Sequence, residues 1–187
     1  IAGVGSFHDP VEPEDKRGLF HYFEHMIFKG TSRRTIDDIR SWRTRYVRSW
    51  NASTSKINTQ FYGTSIFQKF SYLCNFFCDL YVGSRFPAEE IEREKEVILH
   101  ELAKNNDNDS RVAYQALLSA LWREHPFSAP TIGTPEGVTR IIRDDLIAAH
   151  QQWYVPANTT VIAVGGVSHD AVLREINARI PYQKKLH

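Results

Sequence analysis

The spacing of apolar positions changes along the chain, and each change predicts an element. Between Gly18 and Gly30, Leu19, Phe23, Met26 and Ile27 recur at three- and four-residue steps, the period of a helix with one buried face. Lys29 suits the negative pole of that helix and Gly30 is its expected stop. Thr35 is the expected cap of a second helix, Ile36 to about Val47. Residues Asn51 to about Phe67 alternate and are rich in Thr, Tyr, Phe and Ile, which predicts strand, with Gly63 marking a bend or bulge. An aromatic-rich helix is expected over Gln68 to Val82. Pro87 to Glu101 reads as a strong helix: proline near the start, acids in the first turn, and Ile91, Ile98 and Leu102 at heptad-like spacing. After a polar break, Asn105 to Asp109, Ser110 is the expected cap of a helix reaching about Trp122. His125 to Pro130 reads as a loop in which His125 has a structural role. Thr134-Pro135-Glu136 opens a short helix, and Asp144 caps another that ends near Tyr154. Thr159 to Val164 predicts a buried strand. Ser168 then caps a last helix to about Ile180, ending at Pro181. Strands and helix clusters in this order give an α+β fold, a small sheet covered by helices.

A length of 187 residues, 42% apolar and 24% charged, suits one domain with a sizeable core. The net charge of +1 exerts no global pull toward nucleic acid or a membrane. No apolar run approaches the ~20 residues of a membrane span. Arg40, Arg43, Arg45 and Arg48 are interleaved with Trp42, Tyr46 and Trp50, a mixture that can mark a nucleic-acid surface. Asp37 and Asp38 dilute that charge, and the four-residue spacing of the aromatics is that of a packing stripe. No nucleic-acid partner is therefore expected. Cys74 and Cys78, four apart on an apolar helix, read as buried free thiols. The first residue is Ile, so the natural start is expected to lie outside this sequence, and the compartment stays open: periplasm, cytoplasm and mitochondrial matrix all fit.

The chemistry concentrates in His21-Tyr22-Phe23-Glu24-His25. Residues four apart lie one turn apart on one helix face, so His21 and His25 can aim two imidazoles at one point, with Glu24 beside it. Two neutral imidazoles and a nearby carboxylate are half of a catalytic zinc site. Paired histidines at this spacing are more often ordinary surface residues, but a chain of this composition yields such a pattern by accident only about 0.02 times. A third ligand is needed. Glu94 and Glu101 are two turns apart and share a face of the Pro87 helix. Most glutamates on such a helix only solvate it; Glu101, among Val97, Ile98 and Leu102, is the candidate, which composition alone does not settle.

The run Gly18 to Thr31 resembles the zinc motif of the pitrilysin, insulinase and mitochondrial processing peptidase family, whose order of Glu just before the second His inverts the commoner zinc helix. Gly5-Ser6 is similar to the end of the strand before that helix, and Asn51-Ala52-Ser53-Thr54-Ser55 resembles the family's substrate-edge segment. Ile91 to Glu101 resembles the helix of the third zinc ligand. Asp144-Asp145-Leu146 to Asn158, followed by a strand to Gly165-Gly166, matches the domain's end. This chain departs from the pattern in two places: Phe20 stands where a small residue usually precedes the first His, and Arg48-Ser49-Trp50 where Gly-Gly commonly precedes Asn-Ala.

The resemblance implies a mostly antiparallel processing-peptidase-like sheet and one Zn2+ per chain, held by His21, His25 and Glu101. A fourth position stays open for water, Glu24 acts as general base, and Glu94 orients a ligand. Asn51 and Ala52 would form a strand edge on which an extended peptide or unfolded protein adds as a further strand. The resemblance further implies that residues 1–187 are a single N-terminal catalytic zinc-endopeptidase domain of a longer chain. The first strands and a homologous second domain or subunit would lie outside it, and the isolated domain would be weak or inactive. The alternatives are a non-catalytic homologous partner subunit and a structural zinc or binding module.

Overall fold

The structure, a computed structural model, describes residues 1–12 and 14–180. Its organising element is α1 (Leu19–Met26), whose Leu19, Phe20, Tyr22, Phe23 and Met26 are all buried. At about 1.5–3 kcal/mol for each large apolar side chain removed from water, this one face anchors the core. Its entry depends on Gly18, at φ 101°, where a Cβ would lie 2.7 Å from the Ile132 carbonyl oxygen. Only glycine takes that conformation without strain. The buried Asp9 carboxylate accepts hydrogen bonds from the Gly18 and Phe20 amides at 2.8 and 3.1 Å, satisfying N–H groups that a helix start leaves unpaired. Burial pushes the Asp9 carboxyl up to about 7, with those two amides and Lys56 acting the other way.

The helix stops at Met26, four residues before the expected Gly30, because the Lys29 amide turns back to the Met26 carbonyl at 3.1 Å. The second helix, α2 (Ile36–Tyr46), starts as expected at Thr35, whose hydroxyl and backbone N–H exchange hydrogen bonds with Asp38. The stretch expected as one strand is a hairpin. Strands β1 (Ser49–Thr54) and β2 (Thr59–Thr64) pair antiparallel, with Asn51 opposite Tyr62 and Ala52 opposite Phe61. The turn is made by Ser55, whose Oγ accepts from the Ile57 and Asn58 amides. Gly63 makes no bend: it pairs regularly with Trp50, and a Cβ there would come within 3.1 Å of the Phe77 ring. Its role is close approach of the next helix, α3 (Phe70–Gly83).

α4 (Ala88–Asn106) runs further than the polar break suggested, and only Asp107 and Asn108 separate it from α5 (Asp109–Trp122). Asn108, not Ser110, caps α5 by accepting the Arg111 amide. Thr134 caps α6 (Pro135–Arg140) by accepting the Gly137 amide, and His125 accepts the Phe127 amide in its loop, the structural role expected. At the start of α7 (Arg143–Trp153) the capping carboxylate is Asp145, bonded to the Ile142 amide, rather than Asp144. Ser168 caps α8 (His169–Asn177) as expected; the Pro181 stop lies outside the described residues. Cys74 and Cys78 are buried free thiols. Among the described residues no helix is long and apolar enough to cross a membrane.

The buried strand expected over Thr159 to Val164 does not form. Ala2 bridges both Thr59 and Thr159, and Ile1 exchanges hydrogen bonds with Thr160, but beyond that point the segment has no ladder partner among the described residues. Val161 and Ile162 are exposed and Val164 is 95% so. A strand is held by hydrogen bonds to its neighbours, and apolar alternation alone cannot supply them. Residues 161–164 instead face β2 across an apolar cleft of about 520 Å³ that also touches Phe77 and Ile176.

Candidate metal centre

Packing of α1 against α4 builds the site. The Tyr22 hydroxyl donates to the Ile91 carbonyl, while Ile91, Ile98 and Leu102 sink into the core. This turns Glu94 and Glu101 toward the face of α1 that carries His21 and His25. Val97, expected beside Glu101 on the inner face, is instead half exposed. The imidazole centroids of His21 and His25 are 4.7 Å apart. Their Nε2 atoms lie 3.9 and 3.7 Å from Glu101 Oε2, and the three donor atoms fall within 4.8 Å of one another. Ligands around a four-coordinate zinc with bonds of about 2.0–2.1 Å stand about 3.4 Å apart, so this donor set fits the ion after small rotations. The Glu101 side chain is 40% exposed, against 13% for His21, which leaves one side of the cluster open to solvent.

The protonation states suit the same task. Burial, reinforced by His25, pushes His21 down to about 3, so its ring is neutral. Its Nδ1 is buried with no partner among the described residues. His25 Nδ1 lies 2.8 Å from Glu94 Oε1, which holds the proton on Nδ1 and frees the Nε2 lone pair toward Glu101. The other Glu94 oxygen is paired with Lys29. Burial alone would raise the Glu94 carboxyl, but the His25 and Lys29 hydrogen bonds outweigh it and hold the group below its ordinary value.

Glu24 stands on the same face. Thr54 Oγ1, at the end of β1, lies 2.6 Å from Glu24 Oε2 and donates to it. Burial raises the Glu24 carboxyl, and the Thr54 hydrogen bond partly offsets that. Thr54→Val is expected to cost about 1.5–3 kcal/mol, the range for a hydrogen bond to a charged group, with Thr54→Ser restoring it. Urea unfolding of the chain measures this; an unchanged midpoint in Thr54→Val would show that the contact does not hold the carboxylate.

Asn51 and Ala52 lie on the edge of β1 that no described strand covers. The Ala52 amide does not enter the β1–β2 ladder; it donates to Asn51 Oδ1 at 2.9 Å. Trp50, Ala52 and Thr54 turn inward and Ser49, Asn51 and Ser53 outward, so the free edge ends at the Glu24 carboxylate. Phe20 is accommodated: it is 1% exposed, with its ring edge-on to Trp153 at 6.3 Å. Sequence reasoning found every acid and imidazole of the cluster but missed Asp9, Lys29 and the Thr54 hydroxyl as supports. The only signal was that Thr54 belongs to the Asn51–Ser55 segment.

Known proteins resemble this chain over most of its length. Residues 2–135, which contain His21, Glu24, His25, Glu94 and Glu101, match the model for insulinase (peptidase family M16). Residues 140–185 match the model for the peptidase M16 inactive domain. An uncharacterized zinc protease of Mycobacterium leprae is 32% identical over 176 residues, covering 92% of this chain and 39% of that protein. The uncharacterized zinc protease YmxG of Bacillus subtilis is 29% identical over 174 residues, 93% of this chain and 42% of that protein. The chain thus spans about two-fifths of the length of these relatives. A protease from Helicobacter pylori superposes with a TM-score of 0.89 at 23% identity, covering all of this chain and 45% of that one. The periplasmic protease PqqL of Escherichia coli gives 0.85 at 23%, with all of this chain and 21% of that one covered. These two likenesses establish the α+β fold with its antiparallel hairpin and helical cover. With most of its length matched by the family model and its zinc-type cluster inside the matched region, the chain belongs to the insulinase family, peptidase family M16.

Proposed function

We propose that this chain is the catalytic domain of a zinc metalloendopeptidase that hydrolyses extended peptides. The observation that carries the reading is the convergence of His21, His25 and Glu101 with Glu24 at the end of a free strand edge. His21, His25 and Glu101 would hold one Zn2+, and Glu94 keeps His25 in the ligating tautomer. When bound, zinc supplies Lewis acidity toward the scissile carbonyl and a water. Glu24 takes a proton from the attacking water and returns it to the leaving amine, held for both transfers by Thr54. Asn51 and Ala52 align the peptide through its backbone, which admits many sequences and favours extended or unfolded substrates.

The domain reading rests on the length of the relatives and on the apolar cleft beside β2. Residues 1–187 act as one catalytic unit, completed by a homologous second domain or subunit. Backbone hydrogen bonds to one edge are each worth only about 1 kcal/mol in water. Positioning and exclusion of water need a wall on the far side of the peptide. A fluorogenic peptide assay on the zinc-loaded chain, alone and within the whole protein, tests this. Strong, chelator-sensitive cleavage by the whole protein and very weak cleavage by the isolated chain are expected. Absence of cleavage in both would sink the enzymatic reading, and equal cleavage would sink the need for a partner.

A further inference from the structure

We infer that Arg43 and Arg48 select substrates carrying an acidic residue a few positions from the scissile bond, on the side that lies over the Ser49 end of β1. The inference rests on the peptidase reading above and names a substrate class for it.

The charge is local. Between Arg33 and Arg48 the chain has six arginines against two aspartates, although its net charge is only +1. The aspartates are already engaged: Asp37 pairs with Arg40, and Asp38 completes the cap of α2. Arg34 is used by Asp79. Arg43 and Arg48 make no ion pair among the described residues; Arg43 lies on α2, and the exposed Arg48 stands in the link from α2 to β1, directly before Ser49 at the start of the free edge. The Arg43 guanidinium lies 5.0 Å from the centroid of Trp50, whose ring packs on Phe28 at 4.2 Å. A guanidinium laid on an aromatic face has less rotamer freedom to lose when it meets a carboxylate.

The distance sets the register. Thr54 touches Glu24, and Trp50 is four residues back, about 13 Å along an extended strand. A peptide added to this edge rises by the same step, so its residue opposite Trp50 lies up to about four positions from the bond being cut. A carboxylate there faces the Arg43 guanidinium over Trp50, with the Arg48 charge one step beyond at the start of β1. A lysine there meets like charge, which repels.

The test uses the whole protein, stripped of metal so that peptides are bound and not consumed. Fluorescein-labelled neutral extended peptides carry a single Glu or Lys walked along their length, and anisotropy reads the affinity. Tighter binding of Glu over Lys is expected on one side only, peaking two to four positions from the cleavage site mapped with the zinc-loaded protein. Arg43→Gln and Arg48→Gln should each cut the preference by about five-fold, the upper range for a solvent-exposed ion pair. Arg43→Lys should keep the sign of the preference at reduced size, since the charge stays and the stacked guanidinium is lost, and charge reversal at both positions should invert it. At an ionic strength of about 1 M, where the screening length is about 3 Å, the preference should vanish. In hydrolysis the same changes should appear in KM with kcat held.

A Glu preference that survives both glutamine variants, or a flat Glu walk on the wild-type protein, overturns the inference. So does tight binding of a single-stranded oligonucleotide that displaces every peptide and is lost in the glutamine variants, since the patch would then serve nucleic acid. If the acidic preference is present in binding but no peptide is ever cleaved, the selection stands and the enzymatic reading falls. Should a glutamine variant fail to fold, the Glu walk and salt dependence of the wild-type protein decide the matter.

Discussion

Glu24→Gln is expected to retain zinc and to lose peptide hydrolysis by about 10²–10⁴-fold, the contribution of a positioned general acid–base group. Glutamine keeps the shape and can still accept from Thr54 Oγ1, so the 2.6 Å contact at the end of β1 is preserved in outline. It cannot take a proton at neutral pH. The proposed ligand atoms belong to His21, His25 and Glu101, so the metal is expected to stay. Burial of the carboxyl disfavours the charged form, and neutralising it removes that penalty, so the variant should be no less stable. The measurement is a rate on the whole protein beside zinc content and a thermal melt. Wild-type cleavage by the variant would exclude Glu24 as the base; loss of zinc together with activity would make it a structural support of the site.

Glu101→Gln and Glu94→Gln separate holding the metal from orienting a ligand. Glu101 contributes the third donor atom, 3.9 and 3.7 Å from the two Nε2 atoms, and its loss leaves a pair of imidazoles. Among the described residues the Glu94 carboxylate pairs only with His25 and Lys29, and its loss leaves all three donors in place. Removing a group that orients a ligand typically weakens metal affinity by about 10–100-fold, and removing the carboxylate ligand should exceed that. Competition with a chelating dye gives both numbers on the whole protein. The folds should respond in the opposite order. Glu101 is 40% exposed and among the described residues ion-pairs only through the cluster, whereas Glu94 is buried and its removal leaves Lys29 without that partner. A Glu101→Gln variant with wild-type affinity would place the third donor elsewhere on the chain.

Much of this site is written into local sequence. A helix repeats every 3.6 residues, so the order of residues 19 to 26 by itself sets Leu19, Phe23 and Met26 against His21, Glu24 and His25. The same rule sets Glu94 and Glu101 on one face of α4, and the capping chemistry of Thr35, Thr134 and Ser168 is equally local. Non-local pairing was not legible. Nothing near Glu24 in sequence announces that Thr54, thirty residues on, will donate to it, nor that Asp9 will cap the entry to α1. The expected strand at 159–164 shows the converse. Its residues have the right composition, yet a strand exists only with neighbours, and here the ladder ends at Ile1 and Ala2. Periodicity records which face of an element avoids water. Which other element meets that face depends on contacts across the whole chain, so only the tertiary structure brought α1, α4 and the end of β1 to one point.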